Sequence, residues 1–187
     1  MFFLTFFRPT MSTISSPTQM PHFEASLPTP DDTDRLGAAA AEALLASRDS
    51  IVEHGFALRL EGNLGAGKTS FMRALLRTLG WQGAVKSPTF TLLETYEVAG
   101  VAVNHFDFYR FEEPTEFEDA GFRDMYCAGA FCASEWSERA LPYLPAADLV
   151  VSLVQEGLGR RVCIDAETPS GAAFLALMSA QWNAAAC

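Results

Sequence analysis

The chain has 187 residues, enough for one domain whose core needs no disulfide or metal staple. Hydrophobic residues make up 49%, which excludes a disordered chain, and no uninterrupted apolar run approaches the roughly 18 residues of a membrane span. Asp plus Glu number 23 against 13 Lys plus Arg, and a net charge of −10 argues against an unaided grip on a nucleic-acid backbone or an anionic membrane.

Residues 1–26 read as a tail. Phe2, Phe3, Leu4, Phe6 and Phe7 form an apolar cluster with no charged segment before it and no cleavage site after it, so a signal peptide is disfavoured. A turn-prone run of Ser, Thr and Pro follows, and Met11 and Met20 stand as alternative starts. Residues 27–187 are expected to form a single domain. Asp31, Asp32 and Thr33 are N-cap material before an Ala-rich helix that runs to about Ser47. Phe56–Leu60 predicts a short apolar strand. Phe71, Met72, Leu75, Leu76 and Leu79 recur at helical spacing and Gly80 closes that helix. Phe90–Val98 and Val101–Phe108 predict a hairpin around Ala99-Gly100. Pro114–Ala120 opens a short acidic helix, and Ala130–Ser134 is a buried-type strand. A second hairpin is expected from Leu149–Val154 and Arg161–Ile164, then a final helix over Ser170–Trp182. Strands alternating with helices, plus hairpins, predict an α/β fold with a mixed sheet. Cys127, Cys132, Cys163 and Cys187 are scattered without a C-x-x-C pair, which reads as reduced thiols in a cytoplasmic protein.

Between the first strand and the helix after it lies Gly62-Asn63-Leu64-Gly65-Ala66-Gly67-Lys68-Thr69, a fit to G-x-x-x-x-G-K-[ST]. The physics of that spacing is specific. Gly62, Gly65 and Gly67 let successive N–H groups turn inward as an anion nest, and the helix N-terminus adds its partial positive charge. Lys68 can reach the outer phosphates and the Thr69 hydroxyl can ligate Mg²⁺. The expected architecture is therefore a three-layer P-loop NTPase-type domain, with a mixed, mostly parallel sheet flanked by helices. Such a site needs a further acid at the end of a buried strand. Asp107 and Glu135 both end apolar runs, and spacing alone does not say which takes the metal and which positions water. The chain has no N-K-x-D or T-K-x-D guanine signature, so ATP is favoured over GTP.

Four segments together resemble one family. They are the loop at 62–69, Lys86-Ser87-Pro88-Thr89-Phe90-Thr91-Leu92, His105-Phe106-Asp107-Phe108-Tyr109-Arg110, and Glu135-Trp136. Their order and spacing resemble the TsaE (formerly YjeE) family, small bacterial P-loop ATPases needed for threonylcarbamoyladenosine synthesis on tRNA. The resemblance spans about residues 28–165. It implies Lys68 and Thr69 as the phosphate and Mg²⁺ residues, with Thr89 in a switch-like loop facing the γ-phosphate side. It further implies Asp107 as the catalytic acid, Glu135 as a second Mg²⁺ ligand, and Trp136 and Arg160 beside the nucleotide. The cofactors implied are ATP and Mg²⁺, and the partners are threonylcarbamoyl-transfer proteins of the TsaB and TsaD type. Direct tRNA binding is not expected from the charge. His105 reads as a packed or hydrogen-bonded strand residue, with a base as the alternative. The acids between Glu112 and Asp119 read as a solvated face, with a docking surface for a basic protein as the alternative. Two further functions stay open, a small-molecule kinase and a nucleotide-sensing module.

Overall fold

The computed structural model describes residues 20–185. Its first helix, α1 (Pro30–Ala46), starts on a reciprocal cap. The Asp32 N–H donates to the Thr29 hydroxyl at 3.3 Å, and the Thr29 N–H donates to Asp32 Oδ2 at 3.0 Å. The hydrogen bond from the Thr29 hydroxyl holds the Asp32 carboxyl below its ordinary value. α1 is followed by α2 (Arg48–His54), β2 (Phe56–Glu61) and α3 (Lys68–Thr78). The Ala-rich face of α1 lets α3 approach closely. A Cβ at Gly37 would lie 2.5 Å from the Phe71 carbonyl oxygen, so no side chain fits at that crossing.

β3 (Leu93–Val98) and β4 (Val101–Asp107) form the expected hairpin. Ala99 and Gly100 both take positive φ, 52° and 72°, as a two-residue turn matched to strand twist requires. β3 starts later than its apolar sequence suggests. Leu92 sits at φ 64° and its N–H donates to the Pro88 carbonyl, so Phe90–Leu92 form a turn and not a strand. The chain continues through the short helix α4 (Glu116–Asp119), β5 (Ala130–Glu135), the hairpin β6 (Leu149–Glu156) and β7 (Gly159–Ala166), and α5 (Pro169–Ala184).

With β1 (His22–Leu27) at one edge, the strands form one seven-stranded sheet in the order β1-β7-β6-β2-β5-β4-β3. Neighbouring β6, β2, β5 and β4 are parallel, while β3 and β7 run antiparallel to their partners. β1 is antiparallel to β7, so it points the same way as the four central strands. The sheet is mixed and mostly parallel, as expected. β1 corrects the boundary drawn at residue 26, because all six of its residues, His22–Leu27, pair with Arg160–Asp165. Its inward residues Phe23 and Ala25 pack on the main core, and Leu27 is fully buried. Residues 1–19 of the expected tail lie outside the described residues.

Alternation along the strands divides two cores. Phe56, Leu58 and Leu60 of β2, Val101 and Val103 of β4, and Phe131 and Ala133 of β5 face α1, α3 and α5. Phe106, Ala130 and Cys132 face the other way, into a layer of α4, 3₁₀ turns and loops filled by Phe108, Phe111 and Phe117. Burial there pushes the Cys132 thiol up to about 12. No helix among the described residues is long and apolar enough to cross a membrane. The arrangement places the β2–α3 loop, Asp107 and Glu135 together at the carboxyl ends of the parallel strands, where open α/β sheets bind ligands.

Candidate functional site

The loop between β2 and α3 is set by two glycines with no room for a side chain. A Cβ at Gly62 (φ 132°) would collide with the Leu153 carbonyl, and one at Gly67 (φ 112°) would lie 2.9 Å from Arg160 Nε. Gly67 is the N-cap of α3, so the first helical N–H groups open into the loop. A cleft of about 250 Å³ lies over it. Leu64, Gly65, Ala66, Gly67, Lys68 and Thr69 make its floor, and Thr89, Asp107, Glu135, Trp136 and Arg160 make its walls. Gly62 and Asn63 lie behind the floor, where their carbonyls accept from Lys68 Nζ, at 2.5 and 3.2 Å. Arg160 reaches in from the start of β7 and donates to the Ala66 carbonyl at 2.6 Å. Trp136 takes a left-handed conformation (φ 57°, ψ 41°), which sets its ring 4.7 Å from Lys68 Nζ and 5.1 Å from the Tyr109 ring.

Asp107 and Glu135 sit opposite each other in the β4–β5 ladder and are both buried. Their hydrogen-bond donors do not overlap. Glu135 Oε1 accepts from His105 Nε2 at 2.9 Å and from the Thr69 hydroxyl at 3.3 Å, and Oε2 lies 3.8 Å from Lys68 Nζ. Asp107 Oδ2 accepts from the hydroxyls of Ser87 and Thr89, both at 2.6 Å. Its other oxygen accepts from the Tyr109 N–H at 3.0 Å. One carboxylate is thus wired to α3 and the other to the 87–89 loop.

A nest of N–H groups at a helix N-terminus, with Lys68 and Arg160 beside it, suits a chain of phosphates. The Thr69 hydroxyl and Glu135 carboxylate are both hard oxygen donors. Mg²⁺ takes one or two protein oxygens when phosphates supply more, so these residues fit it. Among the described residues no group of three His, Cys, Asp or Glu is placed to hold a metal. A larger cleft of about 520 Å³ is lined by Arg59, Glu61 and Asp165.

Residues 27–162 match the family model described as "Threonylcarbamoyl adenosine biosynthesis protein TsaE". The chain belongs to the TsaE family. That family serves threonylcarbamoyladenosine biosynthesis on tRNA. Among curated relatives, a Haemophilus influenzae protein named "tRNA threonylcarbamoyladenosine biosynthesis protein TsaE" is 39% identical, over 78% of this chain and 90% of its own length. A Bacillus subtilis TsaE of the same description is 36% identical over 55% of this chain and 64% of its own. The solved structure titled "Crystal structure of Bacillus subtilus YdiB" superposes with a TM-score of 0.67 at 22% identity, covering 88% of this chain and 98% of that one, and shares the fold.

Every site residue expected from the sequence thus lies in or directly behind one cleft of this TsaE-family chain. Ser87, Tyr109 and His105 join them in or behind it. The sequence places Ser87 in the switch-like loop of the resemblance and His105 as a packed or hydrogen-bonded strand residue, and its bond to Glu135 is of the second kind. Hydroxyl-x-hydroxyl spacing at Ser87 and Thr89 was the available signal for Ser87. Nothing in the sequence marked the contact between His105 and Glu135, which are 30 residues apart.

Proposed function

We propose that the protein binds Mg-ATP in this cleft and hydrolyses it to ADP and phosphate. This turnover would serve threonylcarbamoyladenosine formation on tRNA, in the cytoplasm, with transfer proteins of the TsaB and TsaD type. The observation that carries the reading is the division of donors between the two strand-end acids: Glu135 is joined to Thr69, and Asp107 to Ser87 and Thr89. A phosphate site needs one acid for the cation and one group for the attacking water.

The loop N–H groups, Lys68 and Arg160 bind and orient the phosphates. Thr69 and Glu135 would hold Mg²⁺, which supplies charge neutralisation on the outer phosphate oxygens. Asp107 orients water at the edge of the sheet and accepts its proton at Oδ2, the oxygen that now accepts the two loop hydroxyls. Thr89 moves from Asp107 towards the γ-phosphate when that group is present, which couples the loop to nucleotide state. Trp136 and Tyr109 wall the cleft against solvent.

Titration calorimetry with Mg-ATP tests the reading. Lys68→Ala removes the charge facing the phosphates and Thr69→Ala removes a cation ligand. Both should bind Mg-ATP more weakly while the melting curve is kept. Unchanged affinity in both would overturn the assignment of the cleft. Assay of the product separates an ATPase from a kinase, since the first releases inorganic phosphate from ATP and water alone.

A further inference from the structure

The geometry points to His105 as a positioning residue that fixes the Glu135 carboxylate for the cation. The inference rests on reading the cleft as a nucleotide and Mg²⁺ site.

His105 lies on β4, on the face that carries Val101, Val103 and Asp107, and it is completely buried. Its Nε2 is 2.9 Å from Glu135 Oε1. Its Nδ1 is buried with no hydrogen-bond partner among the described residues. A carboxylate only accepts, so Nε2 is the donor, and His105 gives Glu135 one directed N–H.

At this strand position an apolar side chain would pack without leaving a polar atom unpaired. Val103, two residues earlier on the same face, does so with full burial. An unsatisfied ring nitrogen in a core is a standing cost. What His105 alone supplies is a donor beneath Glu135. The consequence is an asymmetric carboxylate. Oε1 is engaged by His105 and by the Thr69 hydroxyl, and Oε2 is left towards Lys68 at 3.8 Å. Without the imidazole, the Glu135 side chain loses the contact that sets its rotation. Partners behind a metal-ligating group commonly set metal affinity in this way.

The test is the Mg²⁺ dependence of binding of a non-hydrolysable ATP analogue to the full chain, followed by calorimetry. His105→Leu fills the space without a donor. His105→Gln places an amide N–H where Nε2 stands, and His105→Asn places one only where Nδ1 stands. We expect the half-saturating Mg²⁺ concentration to rise about 10–100-fold in the Leu and Asn variants. The Gln variant should stay within a few-fold of the parent chain. The loss should be confined to the Mg²⁺ term, since a merely structural role would also lower analogue binding in EDTA. If His105→Leu does not fold, the contrast between Gln and Asn decides. A parental Mg²⁺ requirement in Asn, or Gln as impaired as Asn, would overturn the role of His105 and leave the nucleotide site standing. A parent chain that binds no analogue at all would overturn the site and this inference with it.

Discussion

Asp107 is held by three donors, and two of them, Ser87 and Thr89, belong to a loop about 20 residues earlier in the chain. Removing its carboxylate should therefore do two things. Asp107→Ala frees the 87–89 loop and removes the group that orients water, so ATP should still bind while turnover falls about 10²–10⁴-fold. Phosphate release under saturating Mg-ATP measures it, and full turnover would remove Asp107 from the mechanism. Ser87→Ala, which leaves Thr89 on the same oxygen, should cost less. At this scale the sequence was informative where chemistry is encoded by spacing. Lys68 and Thr69 follow their glycines at fixed offsets, so their place was legible. Ser87 and His105 work through partners that only the sheet brings near, and a serine before a proline reads as a turn wherever it occurs.

Among the elements, α3 was legible because its apolar residues recur at helical spacing before Gly80, and α1 because cap residues precede an Ala-rich run. β1 was not. Half of its residues, His22, Glu24 and Ser26, are exposed, and it lies between Pro21 and Pro28, so its alternation is short and broken. An edge strand has only one partner to declare it. Its contribution is nevertheless large. Leu27 is fully buried and the Phe23 ring meets Trp182 of α5 at 6.5 Å. A chain begun at Pro28 should melt below one begun at Met20. Loss of Leu27 alone is worth about 2–5 kcal/mol, and each kcal/mol shifts the midpoint by about 2–4 °C at this size. Equal melting temperatures by circular dichroism would show that β1 is not part of the folding unit.

For the molecule as a whole, charge sets the partners. The net charge of −10 opposes a polyanion. Some of that acid serves the fold: Glu116 accepts from the N–H groups of Glu112 and Glu113, and Glu118 pairs with Arg123. Glu112, Glu113, Glu118 and Asp119 remain exposed. The isolated protein should bind tRNA more weakly than micromolar in filter binding at physiological salt. Tighter binding without partner proteins would sink that expectation.

The two acids also share one frame. β4 and β5 are laddered along Ala102–Asp107 and Ala130–Glu135, and both strands are walled by cores on their two faces. The spacing of the two carboxylates is therefore set by the strand ladder. The turn after Ser87 is built differently: hydroxyls tether it to Asp107, and it runs into Phe90, whose ring is 82% exposed and lies 4.1 Å from the Arg110 guanidinium. Phe90 follows Thr89 directly in the chain. Two adjacent residues thus join a buried carboxylate to an aromatic ring on the surface.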